Sequence, residues 1–137
     1  MNEHEVQWQS LGFDALDSHQ LYRILHLRQQ VFIVEQDCIY QDLDNLDQLC
    51  LHLCASRADY LLAYLRCQPP GISYEESSLG GIVTSPGARG LKLGRELVGR
   101  GIALNFSTWP GSDIRIGAQA QLEKFYREFG FETVTEP

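Results

Sequence analysis

Apolar positions recur along this chain in two periods, and the change from one to the other divides it. Over residues 18 to 34, Leu21, Ile24, Leu25, Leu27, Val31 and Phe32 return at helical spacing, and Asp17 or Ser18 can cap the exposed first amides. Three short apolar or β-branched runs follow at residues 49 to 55, 60 to 67 and 79 to 85, and read as strands. The first break, 56 to 59, is hairpin-sized, and the second carries Pro69, Pro70 and Gly71, which interrupt regular structure. An antiparallel meander is the simplest assembly. Beyond Pro86 and Gly87 the helical period returns, with Leu93, Leu97, Val98 and Ile102 forming one stripe to about Phe106. Residues 114 to 118 then read as a short buried strand. Leu122, Phe125, Tyr126 and Phe129 mark a last helix that Gly130 can close, and residues 131 to 134 fit a further strand. A meander followed by alternating strand and helix predicts one α/β (α+β) domain over residues 1 to 137. Its sheet is mixed, mostly antiparallel and flanked by helices.

Composition narrows the function. With 44% apolar and 21% charged residues the chain is an ordinary globular one. Its apolar runs are far shorter than the roughly 18 residues of a membrane span. The polar, acidic N-terminus lacks the basic-then-apolar order of a leader, so a cytoplasmic location is expected. A formal charge of −7 disfavours nucleic acid and anionic membranes as partners and favours cationic ones. Cys38, Cys50, Cys54 and Cys67 have no CxxC spacing and read as thiols, with Cys50 and Cys54 on one strand face. The four histidines lack paired ligand spacing. The acidic loop at 35 to 48 lacks the glycine and bidentate glutamate of a calcium loop, so no metal is expected.

The most informative segment is Ser85-Pro-Gly-Ala-Arg-Gly-Leu-Lys-Leu-Gly-Arg95, a glycine-rich turn leaving a strand and entering a helix. Such a turn aims several backbone amides at one spot, where the helix dipole favours negative charge. Arg89, Lys92 and Arg95 add positive charge in an otherwise acidic chain. By itself the turn also fits simple helix capping. It is neither a Walker nor a dinucleotide motif.

Arg89-x-x-Lys92-x-Gly94 resembles the acetyl-coenzyme A signature of the GNAT N-acetyltransferases, Arg/Gln-x-x-Gly-x-Gly/Ala, with Lys92 standing where the general pattern has glycine. About thirty residues on, Gln119, Tyr126 and Gly130-Phe131 are similar to the family's second signature. Leu27-Arg28, Val31 to Gln36, Tyr40-Gln41-Asp42 with Asp44, and Gly117 to Ala120 look like the ElaA-like branch of that family.

The resemblance implies the acyl-CoA N-acyltransferase fold, with a fourth strand that splays from the fifth to admit the pantetheine arm. It implies acetyl-CoA as cosubstrate, held by backbone groups near Ile82, Val83 and Thr84, by Arg89, Gly90, Leu91, Lys92, Leu93, Gly94 and Arg95, and by Gln119 and Tyr126. Tyr126 matches the family's general acid. Glu35 is the candidate base, and Glu35, Gln36, Tyr40, Asp42 and His52 are candidate acceptor contacts. Solvation suffices to explain the acidic loop, and hydrogen bonding to explain a strand histidine. Relatives in this family carry a further strand after the position of Pro137, so the sheet is expected to lack its final strand or to have that edge covered, for example in a homodimer. The expected activity is direct acetyl transfer to a primary amine of a small molecule or protein. The alternative is a non-catalytic acyl-CoA binding or protein-interaction module.

Overall fold

The computed structural model describes residues 5 to 117 and 122 to 134. Four strands form one antiparallel sheet in chain order: β1 (Gln7–Gly12), β2 (Leu51–Arg57), β3 (Tyr60–Gln68) and β4 (Ser78–Thr84). β1 was not expected. Its Gln7-Trp8-Gln9-Ser10 run looks like a polar tail, yet pairing of Trp8 with Ala55 and Leu11 with His52 makes it an edge strand of β2. Edge strands need only one apolar face, and Val6 and Trp8 pack against the core from there.

Helix α1 (Ser18–Arg28) opens on the capping box that the sequence allowed. The Gln20 amide donates to Asp17 Oδ1 at 2.7 Å, and the Asp17 amide donates to Gln20 Oε1 at 2.9 Å. The expected single helix to residue 34 does not continue regularly, because Gln29–Glu35 winds as a π-helix. Its wider turns leave Glu35 on the surface at the end of a segment anchored by the buried Val31.

β3 is the central strand, with Ala63 through Gln68 buried on both faces. On one face Tyr64 and Val83 meet Ile24, Leu27 and Val31; on the other Leu53, Leu65, Cys67 and Leu79 meet Leu93 and Leu97 of α2 (Leu93–Thr108). The result is three layers, a sheet between α1 and α2. Gly101 lets α2 come this close, since a Cβ there would lie 2.8 Å from Leu65 Cδ2.

The expected strand at 114 to 118 is reduced among the described residues to a parallel bridge between Ser77 and Ile114. The last helix, α3, is one short turn and a half, Glu123–Arg127, and residues 131 to 134 form no strand. Cys50 lies just before β2 rather than on it. All four thiols are free, and burial pushes Cys50 up to about 11 and Cys54 and Cys67 up to about 12, which keeps them protonated and unreactive.

Candidate functional site

Two features open the outer edge of β4. At its start, the Ser77 amide donates to Asp113 O at 3.1 Å and the Arg115 amide donates to Ser77 O at 2.8 Å, tying it to the following segment. Past this point no described residue pairs with that edge. Asn105 fixes the closed end: fully buried on α2, its Nδ2 donates at 3.1 Å to both Ser77 Oγ and Ser78 O. The trace of Asn105 in the sequence is its place on the buried stripe of Leu97, Val98 and Gly101.

The second feature is a β-bulge. Tyr64 pairs with Val83 and Arg66 with Gly80, so Gly81 and Ile82 together oppose Leu65. Gly81 has φ +60°, a conformation that suits glycine. Beyond the bulge, the Ser85 amide donates to Leu62 O at 2.8 Å while Thr84 is opposite Ala63. In an antiparallel ladder that register turns the backbone groups of Thr84, and by alternation those of Ile82, away from β3. Val83 turns its own toward β3, so of the three residues expected to offer free backbone groups, Ile82 and Thr84 are the ones that face outward.

β4 leads into the basic turn. Pro86–Leu91 forms a 3-10 turn with Pro86 in its first position, and the buried Ala88 anchors it. Lys92 then adopts left-handed geometry, φ 57° and ψ 41°, and α2 begins at Leu93 with no side-chain cap. This explains glycine at the equivalent place of the general signature: a left-handed residue other than glycine costs about 1–2 kcal/mol. The uncapped first amides of α2, those of Leu93, Gly94 and Arg95, have no partner within the helix. A Cβ at Gly90 or Gly94 would meet nothing within 4 Å, and neither has a positive φ. Neither glycine is needed for protein packing, which leaves room for a group to approach the backbone.

Carboxylates hold two of the three cations at the turn. Arg89 Nη2 donates to Glu35 Oε1 at 2.6 Å. Arg95 pairs with Glu128 and lies 5.7 Å from the centroid of the Phe125 ring. Among the described residues Lys92 forms no ion pair. These contacts bring α3 and the end of the π-helix to the turn. Leu91 is exposed, and Gln119 lies outside the described residues.

Tyr126 is 9% exposed, edge-on to Phe125 and Phe131, with its pKa raised by loss of solvent. Among the described residues nothing hydrogen-bonds its hydroxyl. It also lines a cleft of about 1000 Å³ with Ile102, Phe106, Ile114, Phe129 and Phe131. None of the residues of the turn or of the outward β4 edge lines that cleft. We take the turn as the candidate site, because the uncapped first amides of α2 and the open space at Gly90 and Gly94 suit an anionic group.

The acceptor-side expectations are redrawn by a buried network. Asp47 Oδ1 accepts from Arg28 Nη1 and Arg66 Nη1, both at 2.8 Å; Asp42 accepts from Arg28 Nε at 2.9 Å; and Asp44 takes Arg66 in a fork of 2.9 and 2.5 Å. Arg66 holds the Asp44 carboxyl down to about 2. The loop is therefore neither simply solvated nor a free anionic rim, since three of its carboxylates turn inward to two buried arginines. Asp42 is one of them and is not free for an acceptor.

His52 is also corrected. It is fully buried, with Nε2 2.8 Å from Asp47 O and Nδ1 2.6 Å from the Tyr64 hydroxyl. A carbonyl only accepts, so Nε2 carries the proton and Nδ1 accepts from Tyr64. Burial lowers its pKa and keeps it neutral. No ring nitrogen remains for a substrate. Gln36 and Tyr40 stay exposed, with the Tyr40 phenol pushed up by partial burial and by nearby Asp42. Among the described residues no cluster of three or more His, Cys, Asp or Glu is arranged to hold a metal.

A bulged β4 running into an uncapped basic turn is the frame of a GNAT-type acetyltransferase domain. The acetyltransferase (GNAT) domain family matches residues 28 to 137, and the chain belongs to it. It is 38% identical over 133 residues to protein ElaA of Escherichia coli (strain K12), across 96% of this chain and 87% of that protein. A UPF0039 protein of Synechocystis is 40% identical over 134 residues, 97% of this chain and 87% of its own length. The crystal structure of an acyl-CoA N-acyltransferase from Pseudomonas aeruginosa superposes with a TM-score of 0.91 at 37% identity, covering 96% of this chain and 92% of that one. Crystalline E. coli ElaA gives 0.91 at 37% identity, over 96% and 90%.

Proposed function

We propose that the chain transfers an acetyl group from acetyl-CoA to a primary amine by direct attack. The observation that carries this reading is the turn, where outward amides, a Lys92 with no ion pair among the described residues and two glycines with open space fit a pyrophosphate. The Pseudomonas aeruginosa relative, an acyl-CoA N-acyltransferase, supports the same reading. Bound acetyl-CoA supplies the thioester carbonyl that the amine attacks. The amides of Leu93, Gly94 and Arg95 bind phosphate oxygens, while the outward groups of Ile82 and Thr84 pair with the pantetheine amides. An outward amide of β4 donates to the carbonyl oxygen as negative charge develops on it. As nitrogen bonds to carbon and the carbon–sulfur bond breaks, the amine proton passes to Glu35 directly or through water. The Tyr126 hydroxyl gives its proton to the departing thiolate. Much of the rate gain comes from positioning, so few side chains need take part. The partner is a small-molecule or protein amine, with no role for nucleic acid or a membrane.

Calorimetry with acetyl-CoA tests the site. Trp in place of Gly94 should weaken binding at least tenfold, because the indole would fill the space left over the amides. Unchanged affinity would put the coenzyme elsewhere. An amine panel with acetyl-CoA then tests the chemistry; tight binding without turnover on any amine would favour a non-catalytic binding module.

A further inference from the structure

We propose that Glu35 competes with the coenzyme's pyrophosphate for the Arg89 guanidinium and thereby sets the affinity of the turn; this rests on the acetyl-CoA reading above. The two side chains are 54 residues apart in sequence, yet Arg89 Nη2 and Glu35 Oε1 are 2.6 Å apart. Glu35 does not reach the turn by chance of a floppy loop. The π-helix ending at Glu35 is continued by bonds of five-residue span, from the Gln36 amide to Val31 O and from the Cys38 amide to Ile33 O, each 3.1 Å. Val31, 5% exposed, fixes that segment to the core.

The pair itself is half open to water, with side-chain exposures of 46% for Arg89 and 41% for Glu35. An exposed pair of this kind is weak and can be exchanged. A pyrophosphate offers the guanidinium several charged oxygens in fork geometry, a stronger partner than one carboxylate oxygen. Binding therefore proceeds by exchange: Arg89 leaves Glu35 for phosphate. Glu35, still anchored by its helix, is left with an unoccupied carboxylate beside the site. The same act that seats the coenzyme frees the group assigned to take the amine's proton.

The exchange predicts an unusual sign. If Glu35 merely positioned Arg89 for phosphate, its loss would weaken binding; as a competitor, its loss tightens binding. Acetyl-CoA affinity is measured by calorimetry for the native protein, Glu35→Gln, Glu35→Ala, Arg89→Gln and the Glu35→Gln/Arg89→Gln double variant, with circular dichroism confirming the fold of each. Both Glu35 variants should bind acetyl-CoA about two- to fivefold more tightly, the range set by a weak exposed pair. Arg89→Gln should bind less tightly. Adding Glu35→Gln to it should change nothing further, because the competition has lost its object. Unchanged or weaker binding by the Glu35 variants would overturn the proposal. So would tightening that persists without Arg89, which would be plain relief of charge repulsion. Failure of the native protein to bind acetyl-CoA would instead overturn the coenzyme reading on which the exchange rests.

Discussion

Tyr126 carries the sharpest consequence at the scale of single residues. It is almost enclosed between Phe125 and Phe131, so phenylalanine in its place keeps the ring contacts and removes only the hydroxyl. Loss of solvent raises its pKa, so it holds its proton at neutral pH and is a donor rather than a base. Tyr126→Phe should lower turnover about a hundredfold, the lower range for a positioned proton donor, with acetyl-CoA affinity within about twofold of the native value. Steady-state kinetics and calorimetry measure the two quantities separately. Full turnover across pH would remove the general-acid role. Tyr126, Gly94 and Arg89 could be singled out from the sequence because each stands at fixed spacing in a recognisable signature. It did not supply the outward turn of Ile82 and Thr84 rather than Val83, since that depends on a bulge whose only sequence trace is the Gly80-Gly81 pair. Nor did it supply the fate of His52 and Asp42, because a polar residue looks the same in sequence whether its partner is water or a buried arginine.

Among the elements, α2 links the turn to the sheet, and two of its glycines separate packing from helix propensity. At Gly101 a Cβ would sit 2.8 and 3.2 Å from the two methyls of Leu65, a fully buried side chain with nowhere to move, and 3.3 Å from Leu79. At Gly99 a Cβ would meet nothing within 4 Å. Alanine favours a helix interior over glycine by about 1 kcal/mol at either position. Gly99→Ala should therefore stabilise by up to about 1 kcal/mol. Gly101→Ala should destabilise by about 1 kcal/mol net, overpacking costing more than propensity returns. Denaturant unfolding gives both values, and equal signs would mean that α2 does not approach β3 as described. The apolar stripe of α2 was legible because one face repeats over four turns. α1 was legible to Arg28 but its π continuation was not: an extra residue per turn leaves Val31, Phe32 and Val34 looking like ordinary helix. β1 was illegible for the converse reason, as its strand character lies in its pairing with β2 and not in its own glutamines.

Across the whole molecule the excess of acid persists after the buried network is counted. Eighteen acidic against eleven basic residues give −7, and the three aspartates and two arginines of the network remove only one negative charge, leaving −6 on the remainder. Composition gives this net charge but not its distribution, since three carboxylates of the acidic loop are directed inward. A negative surface around a positive turn acts oppositely on the two substrates: the turn collects phosphate at short range, while the surrounding field draws cations over a longer one. At 0.1 M salt the screening length is about 10 Å, so the long-range part should fade between about 20 and 200 mM salt. With acetyl-CoA saturating, kcat/KM for a cationic amine should fall several-fold over that range, while for an amine uncharged at the assay pH it should stay nearly flat. The difference in slope isolates capture of the acceptor, because both reactions share the same coenzyme complex. Parallel slopes would show that the acceptor is recognised by local contacts alone, and that the acidic surface has no part in choosing it.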